Sequence, residues 1–95
     1  MQLNYKELEI IGPLSTDFRY IRKLDLSHNF IYSLDGIEVL EHLEILNVSF
    51  NKLESIKELE KISKPNQLLE MEISCNPLTN DPEHKKKILV KFINL

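Results

Sequence analysis

Ninety-five residues leave room for one domain and no second. Hydrophobic residues make up 42% and charged residues 28%, an ordinary balance for a soluble globular chain. A net charge of -3 gives no general attraction to nucleic acid or to an anionic membrane surface, and the single cysteine, Cys75, rules out an internal disulfide.

At the amino end, Met1-Gln2-Leu3-Asn4-Tyr5 lacks a basic start followed by an apolar run, so no signal peptide is expected. No stretch reaches the roughly 18 uninterrupted apolar residues of a membrane helix. With one thiol in the chain, a reducing compartment, cytoplasm or nucleus, is expected. Lys6-Glu7-Leu8-Glu9-Ile10 alternates like a strand. It is assigned to a degenerate edge unit, residues 1–20, with Leu8 and Ile10 inward.

A repeat follows. Ile21-Arg22-Lys23-Leu24-Asp25-Leu26-Ser27-His28-Asn29-Phe30-Ile31 aligns with Leu43-Glu44-Ile45-Leu46-Asn47-Val48-Ser49-Phe50-Asn51-Lys52-Leu53. A third copy runs Leu68-Leu69-Glu70-Met71-Glu72-Ile73-Ser74-Cys75-Asn76-Pro77-Leu78. All three read L-x-x-L-x-L-x-x-N-x-L, with an apolar residue at each L. The units are 21–42, 43–67 and 68–78; the asparagines fall 22 and then 25 residues apart, and the extra three lie in the turn-rich Ser63–Gln67 stretch. Alternation in Leu24-Asp25-Leu26 and its counterparts predicts short strands with aliphatics inward. Asn29, Asn51 and Asn76 sit where the chain must turn, and an amide side chain can both donate to and accept from backbone groups buried there.

After each strand, apolar residues step by three: Leu34, Ile37, Leu40, then Ile56, Leu59, Ile62. Short helices or turns are expected there. Asp35 with Glu38, and Ser55 with Glu58, have the spacing of a capping box. Repeat spacing fails after Leu78. Residues 79–95 are predicted to be a carboxyl-terminal capping helix, begun by Asp81-Pro82-Glu83 and covering the last repeat with Ile88, Leu89 and Phe92. The whole chain, 1–95, thus reads as a single α/β solenoid, with short parallel strands on a concave face and short helices or turns on the convex side.

These three registers resemble the leucine-rich-repeat pattern, and the three-step tails resemble its 22-residue intracellular class, named after a regulator of type-one protein phosphatase. Lys6-Glu7-Leu8-Glu9-Ile10, Lys23-Leu24-Asp25-Leu26-Ser27-His28-Asn29, Ser33-Leu34-Asp35-Gly36 and Asn76-Pro77-Leu78-Thr79-Asn80, in that order, are also similar to the spliceosomal A-prime family. That resemblance implies a concave face gripping a partner helix, with Asp25, His28, Asn47, Phe50 and Glu72 in contact. It also implies an alternative role as a ribonucleoprotein component. Related segments occur in scaffolds of larger regulatory or cytoskeletal assemblies.

The outward residues of the strands can be read as columns: Glu9, Asp25, Asn47, Glu72; then Glu7, Lys23, Ile45, Glu70; then Gly12, His28, Phe50, Cys75. The expected partner-binding set is Glu9, Lys23, Asp25, His28, Ile45, Asn47, Phe50, Glu70 and Glu72. Apolar anchors ringed by charge are the composition of a protein-binding surface. The acidic balance favours a protein partner with a basic helix or loop. RNA contact through Lys85-Lys86-Lys87 is expected to be indirect or weak at most, because such runs are usually a solvated helix face. His28, His42 and His84 lack metal-ligand spacing. No Gly-rich phosphate loop or nucleophile motif occurs. The expectation is a binding module, monomeric alone, with no enzyme activity, metal, cofactor or membrane association.

Overall fold

The computed structural model describes residues 1–62, 67–84 and 86. Three strands, β1 (Lys23–Asp25), β2 (Ile45–Asn47) and β3 (Glu70–Glu72), lie side by side and parallel in that order. The register sets Leu24 against Leu46 and Leu46 against Met71. The aligned repeats are therefore successive coils. Backbone bonds continue past the strands: Leu26 N–H to Asn47 O at 2.7 Å and Val48 N–H to Glu72 O at 2.9 Å.

The core is a set of aliphatic stacks, one residue per coil. Leu24 and Leu46, Leu26 and Val48, Ile31 with Leu53 and Leu78, Ile37 and Leu59, and Leu43 with Leu68 are all buried. Met71 and Ile73, at the end of the sheet, are only partly covered. Ile88, Leu89 and Phe92, the predicted capping face, lie outside the described residues. Within the described residues, the Asp81 carboxylate accepts from Glu83 N–H at 2.9 Å.

The asparagines line up inside the turns and stitch each coil to the one before it. Asn51 Nδ2 donates to Leu26 O (2.9 Å) in the preceding coil and to Val48 O (3.0 Å) in its own, while its Oδ1 accepts from Ile31 N–H at 3.0 Å. Asn76 repeats this with Val48 O, Ile73 O and Leu53 N–H. Asn29 does the same with Leu3 O, Leu26 O and Leu8 N–H. Among the described residues no buried side-chain nitrogen or oxygen lacks a hydrogen-bond partner.

That last stitch corrects the reading of the amino end. The strand position of the first coil is held by Met1–Leu3, not by Lys6–Ile10. Gln2 bridges Asp25, with Asp25 N–H donating to Met1 O (3.0 Å) and Leu3 N–H donating to Asp25 O (2.8 Å). Lys6 and Leu8 then belong to the turn, where both their N–H groups meet Asn29 Oδ1. Leu8 points inward as the counterpart of Ile31, and Ile10 is exposed. Local alternation resembled a strand here, but the buried amide of the following coil claims those backbone groups.

On the convex side the return segments are 3-10 helices, Thr16–Phe18, Ile37–Val39 and Ile56–Lys61. The reason is in the spacing. With about three residues per turn, side chains three apart eclipse, so apolar steps of three line one edge. Ser55 caps its helix by accepting from Lys57 N–H at 3.1 Å. The expected capping boxes form only in part. Glu58 reaches across to the preceding coil and accepts from Leu34 N–H at 2.9 Å, and Glu38 accepts from Gly36 N–H rather than pairing with Asp35.

Asp35 turns instead to Lys61, which binds both Asp35 and Glu58 at 2.7 Å and so clamps two coils together. The hydrogen bond from Lys61 holds the Asp35 carboxyl below the usual carboxylate range, and the bond to Asp35 holds the Lys61 ammonium above its usual value. A lowered carboxyl stabilises the fold fully above its unfolded value, about pH 4, and loses that contribution as pH falls through the folded one. A raised ammonium loses its contribution only as pH rises beyond about 10.4. The melting-temperature gap between wild type and Lys61→Met is therefore expected to be flat from about pH 5 to 9 and to narrow below about pH 4. A gap unchanged in strong acid would contradict the clamp.

The concave face as candidate binding site

The outward residues of the three strands form two columns fixed by the register. Lys23, Ile45 and Glu70 make one, and Asp25, Asn47 and Glu72 the other. Gln2, bridged to Asp25, extends the second column into the first coil. This second column is held in place from below. Asp25 Oδ1 accepts from Ser27 N–H (2.9 Å) and Ser27 Oγ (2.7 Å). Asn47 Oδ1 makes the same two bonds with Ser49, and Glu72 Oε1 accepts from Ser74 N–H at 3.1 Å. Hydrogen bonds from the Ser74 side chain and backbone keep the Glu72 carboxyl below the usual range.

Past the strands the chain turns through a left-handed residue in every coil: Tyr5 (φ 55), His28 (φ 57), Phe50 (φ 56) and Cys75 (φ 58). Tyr5, His28 and Phe50 each donate their N–H to the serine carbonyl of the next coil, Ser27, Ser49 and Ser74. Their side chains are brought into one stack. Tyr5 and His28 rings lie 4.4 Å apart and 8° from parallel, and His28 and Phe50 rings 4.4 Å apart and 11° from parallel. Coil spacing in a parallel sheet, about 4.7–4.9 Å, is close to the spacing of stacked rings, so a ring in each coil stacks without further adjustment. Each such contact contributes about 0.5–1.5 kcal/mol. Phe50 remains 48% exposed at the end of the stack. Beside it an open recess of ≈ 350 Å³ is lined by His28, Asn29, Phe30, Phe50, Asn51, Lys52 and Cys75.

Of the expected binding set, Lys23, Asp25, His28, Ile45, Asn47, Phe50, Glu70 and Glu72 are brought together on this face. Glu9 is not. Its carbonyl accepts from Tyr32 N–H at 3.1 Å, placing it beyond the turn on the side of the solenoid. Gly12 likewise leaves the third column, and Tyr5 takes its place. Reading the sequence missed Gln2 and Tyr5. A signal for Tyr5 was present: it stands three residues before Leu8, as His28 does before Ile31, Phe50 before Leu53 and Cys75 before Leu78. Lys85 and Lys87, two of the three lysines weighed for RNA contact, lie outside the described residues. Among the described residues no group of three His, Cys, Asp or Glu side chains could hold a metal ion, and no helix is long and apolar enough to cross a membrane.

The family model for Leucine Rich repeats (2 copies) matches residues 21–61, the first two full coils. The chain is a leucine-rich-repeat protein. Human Leucine-rich repeat-containing protein 36 is 35% identical over 72 residues, covering 76% of this chain and 10% of that protein. The chain thus spans about a tenth of the length of the curated relatives it matches. Among solved structures, the Drosophila melanogaster SNF/U2A' complex aligns with a TM-score of 0.69 at 19% identity, over 99% of this chain and 68% of that one. The Mex67 LRR domain from Chaetomium thermophilum aligns with a TM-score of 0.61 at 27% identity, over 82% of this chain and 56% of that one. This leucine-rich-repeat chain therefore shares the solenoid fold with these proteins, as its parallel sheet and stacked asparagines require.

Proposed function

We propose that this leucine-rich-repeat chain is a protein-interaction module whose concave strand face takes a helix or loop of a protein partner with a basic segment. The observation that carries the reading is the juxtaposition on one face of two apolar anchors, the half-buried Ile45 and the exposed Phe50 end of the ring stack, with the carboxylates Asp25, Glu70 and Glu72. Aromatic anchors within a charged rim are what protein interfaces use. Asp25, Asn47 and Glu72 are pre-positioned by their serine bonds, which lowers the ordering cost of binding at that column. A protein of the same fold is found in a complex with SNF. That likeness supports the reading at the level of architecture.

Catalysis is not part of the proposal. An acid catalyst needs a carboxyl raised by burial or a close like charge. Glu72 is shifted the other way, by its serine, on an open face. The lone exposed thiol suits a reducing compartment, cytoplasm or nucleus.

Recovery of partners from the native cell with immobilised wild type and with the double variant Phe50→Ala plus Glu70→Lys tests the face. The double variant is expected to retain its circular dichroism and to lose partner recovery by about tenfold or more. Equal recovery by a folded double variant would place binding elsewhere.

A further inference from the structure

The ring stack ends one coil early. Tyr5, His28, Phe50 and Cys75 share one backbone conformation, with φ between 55 and 58 in all four. Three of the four rungs carry rings, spaced 4.4 Å apart at each step. At the fourth, the side chain stops at a single sulfur atom. One face of Phe50 is covered by His28; the other turns toward the Cys75 rung and the recess that both residues line. Cys75 is itself exposed.

We propose that this vacant rung receives an arginine of the protein partner, its guanidinium stacking on the open face of Phe50 beside the Glu72 carboxylate. The inference deepens the concave-face reading and rests on it.

Shape and charge select the occupant. A stack of rings is continued best by another planar group, and guanidinium is planar, weakly hydrated and attracted to a ring face. Glu72 stands three residues before Cys75 and is tied to the N–H of Ser74, next to the rung. Asp25, Glu72 and Glu70 on the strands outnumber Lys23 there. A carboxylate or phosphate would meet these acids. A neutral ring would fit the stack but leave them unanswered. Lys52 lines the recess and repels a cation on its own side. The guanidinium therefore approaches from the strand side. An ammonium has the charge without the plane, so arginine is favoured over lysine.

The test uses the 95-residue chain with N-acetyl-arginine methylamide and N-acetyl-lysine methylamide as probes, read by NMR at the Phe50 ring and the Cys75 amide. Saturable shifts are expected with the arginine probe, about threefold to fivefold tighter than with the lysine probe. Cys75→Phe, which fills the rung, is expected to abolish the response, and Glu72→Gln to weaken it. Phe50→Leu keeps an apolar side chain but removes the ring face, and guards against a poorly folded Cys75→Phe. Equal binding of the two probes, or an undiminished arginine response in Phe50→Leu, overturns the proposal. If partner recovery still fails in Phe50→Ala plus Glu70→Lys while the arginine probe gives no response, the face binds and the rung does not.

Discussion

Asn51→Ala is expected to leave the chain largely unfolded at room temperature. The side chain it removes is 4% exposed and serves two coils at once. Truncation strands the N–H of Ile31 and takes a donor from the carbonyls of Leu26, Val48 and Ser49, which Asn51 Nδ2 reaches at 2.9, 3.0 and 3.1 Å. Leaving a buried polar group unsatisfied costs about 1–3 kcal/mol each. Even two such groups cost about 2–6 kcal/mol. Natural domains hold only about 5–15 kcal/mol in total, and a chain this short lies at the low end. Asn51→Asp separates the mechanism from simple loss of volume. It is the same shape, and its carboxylate can still accept from Ile31 N–H, but it offers no donor to three carbonyl oxygens. It is expected to fall nearly as far as alanine at neutral pH. Urea unfolding followed by circular dichroism reads both; an aspartate variant as stable as wild type would show that the donated bonds contribute nothing.

Leu46→Ala attacks the same coil from its apolar side. Leu46 is 1% exposed, at the centre of β2, with Leu24 and Met71 opposite it in the two flanking strands. Both neighbours are anchored in the sheet, so the space it leaves cannot close by one coil sliding onto another. Leu→Ala at sites that relax little costs about 2–5 kcal/mol. For a domain under 100 residues each kcal/mol corresponds to about 4–8 °C in melting temperature. A fall of roughly 10 °C or more is expected, with loss of the folded baseline at the upper end of that cost. A shift of a degree or so in a thermal melt would mean that Leu46 does not fill the core. Met71→Ala, at the half-covered end of the same stack, serves as the internal control and should fall less.

The contrast between coils explains how much of the binding face could be read in advance. Lys23, Ile45 and Glu70, or Asp25, Asn47 and Glu72, fall into columns because each lies at a fixed distance from its asparagine. Three copies of that asparagine give three independent checks on the register. The first coil offers none. Lys6 stands where the asparagine would be, and the alternating Lys6–Ile10 stretch satisfies a strand rule as well as Met1–Leu3 does. Glu9 and Gly12 were misplaced for that reason, and Gln2 and Tyr5 overlooked.

From the sequence alone came the number of full repeats, the inward stacks led by Leu24, Leu46 and Met71, and the buried role of Asn29, Asn51 and Asn76. Those follow from periodicity, since a repeated apolar pattern can be buried only by stacking like on like. Three things were settled by the tertiary structure: which residues form the first strand, that Glu58 and Lys61 join neighbouring coils, and that Tyr5, His28 and Phe50 become one stack of rings. Each depends on where one coil sits above another. A hydrogen bond or ring contact between residues 22 to 28 positions apart is decided by that offset, which no local pattern of residues carries.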